Sequence, residues 1–342
     1  MRYVIIGAGA IGGSIAARLA QHSVEHPPLL IARGAHGDAI RANGLRLRTP
    51  DEDVSVPIDV ASSPAEVKLR ADDVLVLATK THQAETALTQ WVDQPVFDDT
   101  DSVVGTAGDR LPVLLALNGV ASERIAMRLF DRVYGVCVWM PAVHLEPGEV
   151  ILRIAPASGV FIIGRYASAQ DDVDRELLAN IESDWTASSL GIHVVDDVMR
   201  WKYTKLLSNL GNAPQALLAR TEPIDEVVDT LRDEAIAVYR AAGIDWASDE
   251  EEKVWRGDLF NVRKVPGTPD ELGGSSWQSL ARGSGSIETD YLNGEIAYLA
   301  RSLGGRAPLN AVVQRLARQA AVGGAPVGSL TVADLEAEFA RV

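Results

Sequence analysis

The sequence predicts a doubly wound α/β unit followed by an all-α unit. Three observations carry this. At 342 residues the chain exceeds what one hydrophobic core usually organises, so two packed units are expected. Short apolar runs alternate with helix-like segments through the first two-thirds, the pattern of a parallel sheet between helices. From Val198 onward strand signals nearly vanish and helical periodicity takes over. The implied division is 1–196 for the α/β unit and 197–342 for the helical one.

In chain order, the runs at 4–6, 29–32, 74–78, 113–117 and 133–138 read as strands, with helices at 11–21, 83–91 and 122–130 between them. A further β excursion is expected at 45–47 and 54–58. After Pro147-Gly148, the runs 150–154 and 160–163 read as a hairpin closing the first unit, followed by a helix over 174–188 and a strand at 193–195. Helical patterns in the second unit cover 199–218, 224–242, 250–262, 287–302 and 309–321. The stretch 264–276, with Pro266, Gly267, Pro269, Gly273 and Gly274, reads as a loop of a length that often carries function. A last helix over 331–340 opens with Thr331 and, three residues on, Asp334, which resembles a capping box.

Composition narrows the partners. Hydrophobic residues at 47% and charged residues at 23% match a globular enzyme rather than a disordered chain. Against 32 Lys and Arg stand 47 Asp and Glu, a net charge of −15 whose field opposes nucleic acid and anionic membrane surfaces. An anionic substrate therefore needs a local cation. Cys137 is the only cysteine, which rules out an internal disulfide and fits a reducing, cytoplasmic setting. The apolar start at 3–6 lacks a basic leader and runs into glycines, so it reads as a strand, and no apolar run is long enough to cross a membrane. The six His show no ligand spacing, no metal is expected, and no G-x-S-x-G elbow supports a serine triad. The histidines read as surface or capping residues, and Trp139, Trp201 and Trp277 as core or seam fillers.

Gly7-Ala8-Gly9-Ala10-Ile11-Gly12 fits G-x-G-x-x-G, directly after an apolar strand and opening an amphipathic helix. In that Rossmann-type context the glycines allow a tight turn, close approach of backbone to a pyrophosphate, and close helix–strand packing. An NAD-preferring site expects a carboxylate about 20 positions on; here the second strand ends in Arg33, whose guanidinium suits a ribose 2′-phosphate. This favours NADP (NADPH), with Arg41, Arg46 and Arg48 available to share the task. The bland alternative is a solvated Arg33.

Five further segments bear on chemistry. Ala78-Thr79-Lys80-Thr81-His82-Gln83 places a Lys at a strand end with a Gln three residues on, and Leu117-Asn118-Gly119 ends the next strand. Lys205-Leu206-Leu207-Ser208-Asn209, followed by Pro214, sets Lys205 and Asn209 on one helical face, with Asn212 at i+7 on the same side. Ser275-Ser276-Trp277-Gln278 and Ile287-Glu288-Thr289-Asp290-Tyr291-Leu292-Asn293-Gly294 complete the set. Taken with the glycine loop, these resemble the ketopantoate reductase family (2-dehydropantoate 2-reductases) over nearly the whole chain.

That resemblance implies a Rossmann-type domain with a helical catalytic domain, an oxidoreductase of pantothenate biosynthesis, and a homodimer through the helical domain. It implies NADPH-dependent reduction of a small anionic 2-keto acid, ketopantoate or a relative, to the 2-hydroxy acid. Lys205 would be the catalytic general acid, and Glu288 would contact substrate hydroxyl and cofactor. Asn118 would touch both cofactor and substrate, Lys80 and Gln83 would line the cofactor side, and Asn209 and Ser276 would hold the substrate. The family has a second Asn just before the Pro; here Ala213 stands there, and Asn212, displaced by one on the same helical side, would take its place among the substrate-binding residues.

Lys202, one turn earlier, rivals Lys205. On physical grounds a hydride delivered to a keto carbon builds charge on oxygen and requires a nearby donor or cation, which Lys205 supplies. Alternatives stay open. Ala213, the 98–110 insertion and the apolar Trp139-Met140-Pro141 stretch also fit a reductase of another keto acid. A non-catalytic NADP-binding sensor would keep the glycine loop and Arg33 without needing Lys205 and Glu288. An NAD-linked opine or hydroxyacid dehydrogenase would expect an acid where Arg33 stands.

Overall fold

A computed structural model describes residues 1–22, 26–269, 273–283 and 285–342. Among these the chain forms two compact units. The first comprises 1–117, 122–201 and 249–268, and the second 118–121, 202–248 and 269–342.

The first unit is built on an eight-stranded sheet among the described residues, in the spatial order Gly191–Val194, Val160–Arg165, Arg132–Trp139, Pro112–Leu115, Asp73–Leu77, Arg2–Ile6, Leu29–Ile31, Asp59–Ala61. Every adjacent pair is parallel except Arg132–Trp139 with Val160–Arg165. The first strand is central: the chain moves outward to Leu29–Ile31, then crosses back to Asp73–Leu77 on its other side. Such a reversal opens a crevice at the carboxyl ends of the strands, where ligands of open α/β sheets bind.

Strand alternation explains the layering. Tyr3, Ile5, Val74, Val76, Leu114 and Tyr134 face one side, where the helices Ala10–Gln21 and Asp172–Ala187 bury Ile15, Leu19, Ile181 and Trp185 against them. Val4, Ile6, Leu75, Leu77 and Val113 face the other, packed by Leu88 and Trp91 of Ala84–Trp91 and by Ala126 of Ser122–Ala126. Buried on both faces, these strands need nearly continuous apolar sequence, and they have it.

The structure corrects the reading of 150–154 and 160–163 as a hairpin. Glu149–Leu152 belongs to a separate four-stranded sheet, running parallel to Leu45–Arg48 and antiparallel to Ala142–Val143. Val160–Arg165 enters the main sheet instead. The expected excursion is real: Leu45–Arg48 and Asp53–Val56 pair antiparallel. A third small sheet, Leu69–Arg70, Pro95–Phe97 and Val103–Thr106, was not foreseen.

Residues 249–268 pack on the first unit through specific contacts. Arg200 pairs with Glu251 at 2.9 Å, Trp139 Nε1 donates to buried Glu252 at 3.1 Å, and Trp255 meets Trp201 at 5.0 Å. Ile154 bridges Val262, and Arg263 pairs with Asp51. The helix expected over 250–262 runs only from Asp249 to Arg256, followed by a 3-10 turn Gly257–Leu259.

The second unit is helical: Asn212–Leu217, Asp225–Ala242, Ser275–Ala281, Asn293–Ser302, Pro308–Gly323 and Val332–Phe339, joined by the later part of Val198–Asn209. The helix expected over 199–218 is broken at Leu210-Gly211. Asp225–Ala242 buries Val227, Leu231, Ala235 and Val238 on one stripe and stops at Gly243, in the left-handed region at φ 65°. The final helix has the foreseen capping box, Thr331 with Asp334. Of the loop expected over 264–276, residues 270–272 lie outside the described residues, and its end, from Ser275, already forms a helix. Among the described residues no helix is long and apolar enough to cross a membrane, and no group of three or more His, Cys, Asp or Glu converges to hold a metal ion.

Candidate active site

The geometry of the glycine loop shows why glycine stands at positions 7 and 12. Gly7 has φ +109°, and a Cβ there would lie 2.9 Å from the Ala78 carbonyl oxygen at the end of the neighbouring strand. At Gly12 a Cβ would fall 2.0 Å from the Gly7 oxygen. Gly9 differs: a Cβ would meet nothing within 4 Å, and its φ of −67° suits any residue. Protein packing therefore does not require glycine at position 9, whereas an incoming ligand pressed against the backbone would. Gly9 caps the helix Ala10–Gln21 without a side-chain bond, so the first N–H groups of that helix face outward with the positive end of its dipole. Ala8 is buried, and Ala10 and Ile11 are partly exposed.

Hydrogen bonds from Gly7 N to Ile31 O (3.3 Å) and Ala78 N to Ile6 O (2.9 Å) bring the neighbouring strand ends beside this loop. Arg33 follows Leu29–Ile31 and is exposed; its carbonyl accepts from Gly37 N at 3.4 Å, while its guanidinium has no hydrogen bond or ion pair among the described residues. The cations offered as its helpers are engaged elsewhere. Arg46 is bidentate to Asp53, holding that carboxyl below its usual range, and Arg48 lies between Asp53 and Glu149 with Nη2 on Pro266 O. Arg41 pairs with Asp38 and Ser62. Lys80 is partly buried; exposed Gln83 folds its carbonyl back on Lys80 N at 3.3 Å.

In the second unit the resemblance residues gather around the end of the helix Val198–Asn209. Asp197 accepts from Arg200 N at its start, and Leu206, Leu207 and Leu210 anchor it in the core. Asn209, 5% exposed, donates Nδ2 to Asn118 Oδ1 at 3.2 Å. Gly119, at φ +76°, sits so close to the turn Glu288–Tyr291 that a Cβ would meet Tyr291 O at 2.7 Å. From the same segment Asn293 donates to Leu210 O at 3.2 Å and to Asn310 at 3.1 Å, and Asn310 is held by Glu234 at 2.8 Å. This buried chain of amides fixes the Glu288 turn beside Asn209.

The start of the third element, Ser275–Ala281, is tied by Gly274 N to Gln215 Oε1 at 3.0 Å, and Asn212 Oδ1 lies 3.6 Å from where a Gly274 Cβ would be. Ser276 and Glu288 are buried at 3% and 5% exposure; Lys205, one turn before Asn209, is partly exposed. Lys202 is buried at 2% exposure, less open than Lys205 to an incoming molecule. Trp139 and Trp201 are core residues, while Trp277 lies half-buried against Gly273.

One residue escaped sequence reasoning. His36, grouped there with surface histidines, is half-buried and bonded to Ala8 O at 2.7 Å. Only its proximity to the Arg33 strand end hinted at a role.

A Rossmann-type sheet with an outward-facing glycine loop, accompanied by a helical unit, is the arrangement of a nicotinamide-dinucleotide reductase. Residues 3–168 match the ketopantoate reductase PanE/ApbA family and residues 197–321 its C-terminal part, so the chain belongs to the ketopantoate reductase family. It is 30% identical to a 2-dehydropantoate 2-reductase of Mesorhizobium japonicum, over 94% of this chain and 98% of that one. A ketopantoate reductase structure from Ralstonia eutropha aligns with TM-score 0.73 at 25% identity, over 95% of this chain and 99% of that one. D-mandelate dehydrogenase, solved with NADH and anilino(oxo)acetate, aligns with TM-score 0.74 over 95% and 99%; at 22% identity it shares the fold.

Proposed function

We propose that the protein reduces a small 2-keto acid of the ketopantoate type to the 2-hydroxy acid, with NADPH as donor and Lys205 as general acid. The observation that carries this is the Asn209–Asn118 hydrogen bond, which joins the strand-end Asn-Gly to the helix of Lys205 beside the Glu288 turn. Residues 1–196 would hold the dinucleotide and 197–342 the substrate. NADPH fits the loop by the open space at Gly9 and by the cation, not carboxylate, that ends the second strand.

Bound NADPH supplies the hydride. The Lys205 ammonium polarises the keto carbonyl and gives its proton to the oxygen as charge develops there. Asn118 and Asn209, already paired, orient the carbonyl and carboxylate without adding charge, and Ser276 holds the carboxylate. Glu288 accepts from a substrate hydroxyl. In a chain of net charge −15, Lys205 also provides the local attraction an anion requires. The reading carries with it a cytoplasmic homodimer serving pantothenate synthesis.

The test is NADPH oxidation with a panel of 2-keto acids, ketopantoate included, on wild type and Lys205→Ala. The expected outcome is a loss of roughly a hundredfold or more in kcat with dinucleotide affinity retained, in line with a lost general acid. An unchanged rate would move the proton donor to another residue, with Lys202 next in line.

A further inference from the structure

His36 lies on the helix Gly34–Asn43, just past the end of the second strand, and its ring is engaged on both nitrogens. Nε2 is 2.7 Å from the Ala8 carbonyl oxygen, and Nδ1 accepts from the Gly148 N–H at 2.8 Å. A carbonyl oxygen can only accept, so Nε2 carries a proton; an N–H can only donate, so Nδ1 carries a lone pair. Both bonds exist together in one form alone, the neutral Nε2–H imidazole.

The Ala8 carbonyl shares a planar trans peptide with the N–H of Gly9. Fixing that oxygen toward His36 therefore directs the Gly9 N–H to the opposite side of the loop. On the other side of the ring, Gly148 has φ +80° and abuts Ala39, where a Cβ would lie 3.0 Å away. His144 packs against His36 with ring centroids 4.1 Å apart and planes tilted by 48°, and its Nδ1 is bonded to Glu149 O at 3.0 Å.

We propose that His36 is a positioning residue for the glycine loop: as a neutral imidazole it clamps the Ala8–Gly9 peptide to Gly148, and dinucleotide affinity falls when the imidazole is protonated. Protonation puts a hydrogen on Nδ1 facing the Gly148 N–H, so that bond is lost and two donors oppose each other. Burial holds the His36 pKa below the ordinary histidine value, against the Ala8 bond that favours the charged form, so the clamp is intact at neutral pH. The other titratable or charged groups on the surrounding elements are His144, Glu146 and Glu149 on the facing stretch, Arg33, Asp38 and Arg41 on or beside its own helix, Arg46 and Arg48 on Leu45–Arg48, and Asp59 on Asp59–Ala61; the glycine loop brings none.

This rests on the glycine loop being the dinucleotide site. Two variants separate the terms. His36→Gln keeps an amide donor for Ala8 and an acceptor for Gly148 but has no titrating proton; His36→Leu removes both bonds. Kd for NADPH and for NADH, which lacks a titrating 2′-phosphate, is measured by fluorescence at about pH 7.5 and about pH 5.5. The expected result at the higher pH is wild-type affinity for His36→Gln and roughly tenfold weaker binding for His36→Leu, with kcat at saturating cofactor within about twofold. At the lower pH wild type weakens and His36→Gln does not, for NADH.

Nitrogen-15 NMR of the imidazole in the cofactor-free protein is expected to show the neutral Nε2–H tautomer. Undiminished affinity in His36→Leu, the wild-type pH dependence retained in His36→Gln, or an Nδ1–H tautomer would each overturn the proposal. Failure of wild type to bind either dinucleotide overturns the reading of the loop and the proposal with it, and the tautomer signal then tells whether the clamp itself exists.

Discussion

Gly9 and Gly12 lie three residues apart in one loop, yet replacing each by Ala should fail in different ways. At Gly12 the new methyl would sit 2.0 Å from the Gly7 oxygen and 2.9 Å from the Ala78 Cβ. Contacts below 3.0 Å do not occur for real Cβ atoms, so the helix start must move by about 1 Å against backbone on one side and a packed strand end on the other. Overpacking commonly costs 1–3 kcal/mol, and a rigid carbonyl places Gly12→Ala near or above the top, about 3 kcal/mol. For a unit of this size that is a fall in Tm of roughly 6–12 °C.

At Gly9 the methyl meets nothing and the backbone is extended, so strain is absent. Ala restricts the unfolded chain, worth about 0.4–1 kcal/mol, but is a poorer N-cap than Gly by a similar amount, and the two offset to within about 0.5 kcal/mol. Gly9→Ala should therefore melt within about 2 °C of wild type while binding NADPH at least tenfold more weakly, because the space the methyl takes is the approach of the pyrophosphate. Circular dichroism melts without cofactor and fluorescence titration with it measure the two effects separately. A Gly9→Ala protein that binds NADPH like wild type would refute the assignment of that space to the ligand.

Two further outcomes follow from charge. Arg33→Asp should shift the NADPH-to-NADH preference in kcat/KM by roughly tenfold to a hundredfold toward NADH, the scale of a lost charge-assisted pair; an unmoved ratio would make Arg33 a solvated bystander. Asp174 is buried; burial opposes its ionisation, but bonds from Tyr134 and the Asp171 N–H, with the charges of Arg165 and Arg132, hold its carboxyl below the usual range. The same cluster, burial first and the Asp174 bond next, pushes the Tyr134 hydroxyl up to about 12. A depressed carboxyl stabilises above its unfolded pKa and loses that contribution as pH falls through the folded value. Asp174→Asn should cost about 2 kcal/mol at pH 7, and the gap to wild type should close below about pH 4 in denaturant melts. A gap constant down to about pH 2 would show that packing, and not charge, is responsible.

Much of this architecture was legible locally. The strand-then-glycine pattern at 4–12 identifies the loop, because φ +109° at Gly7 and the 2.0 Å approach at Gly12 exclude other residues whatever surrounds them. The Lys205–Asn209 spacing fixes a shared helical face by the helix period alone. The runs 150–154 and 160–163 misled because adjacent apolar runs look alike whether they pair with each other or with distant partners. The pairing was decided by Arg46 and Leu47, about a hundred residues earlier, and by Arg132–Trp139.

The same limit hid the short strands Asp59–Ala61 and Leu69–Arg70, whose three and two residues carry no period. It also hid which core would receive 249–268: a helix pattern states which face is apolar, not what covers it. His36 was beyond reach for a related reason, since its meaning lies in an Ala8 carbonyl and a Gly148 amide that carry no side-chain signature.

The sequence by itself determined the alternation of strands and helices, the turn at the dinucleotide loop, the cation at the second strand's end and the helical face of Lys205. Each of these depends on interactions within a few residues. Tertiary structure alone decided strand partners, the core to which 249–268 belongs, the meeting of Asn118 with Asn209, and the clamp at His36. Strand partners and the clamp depend on backbone groups that every residue possesses, and the other two on side chains far apart in sequence, so only positions in space make them specific.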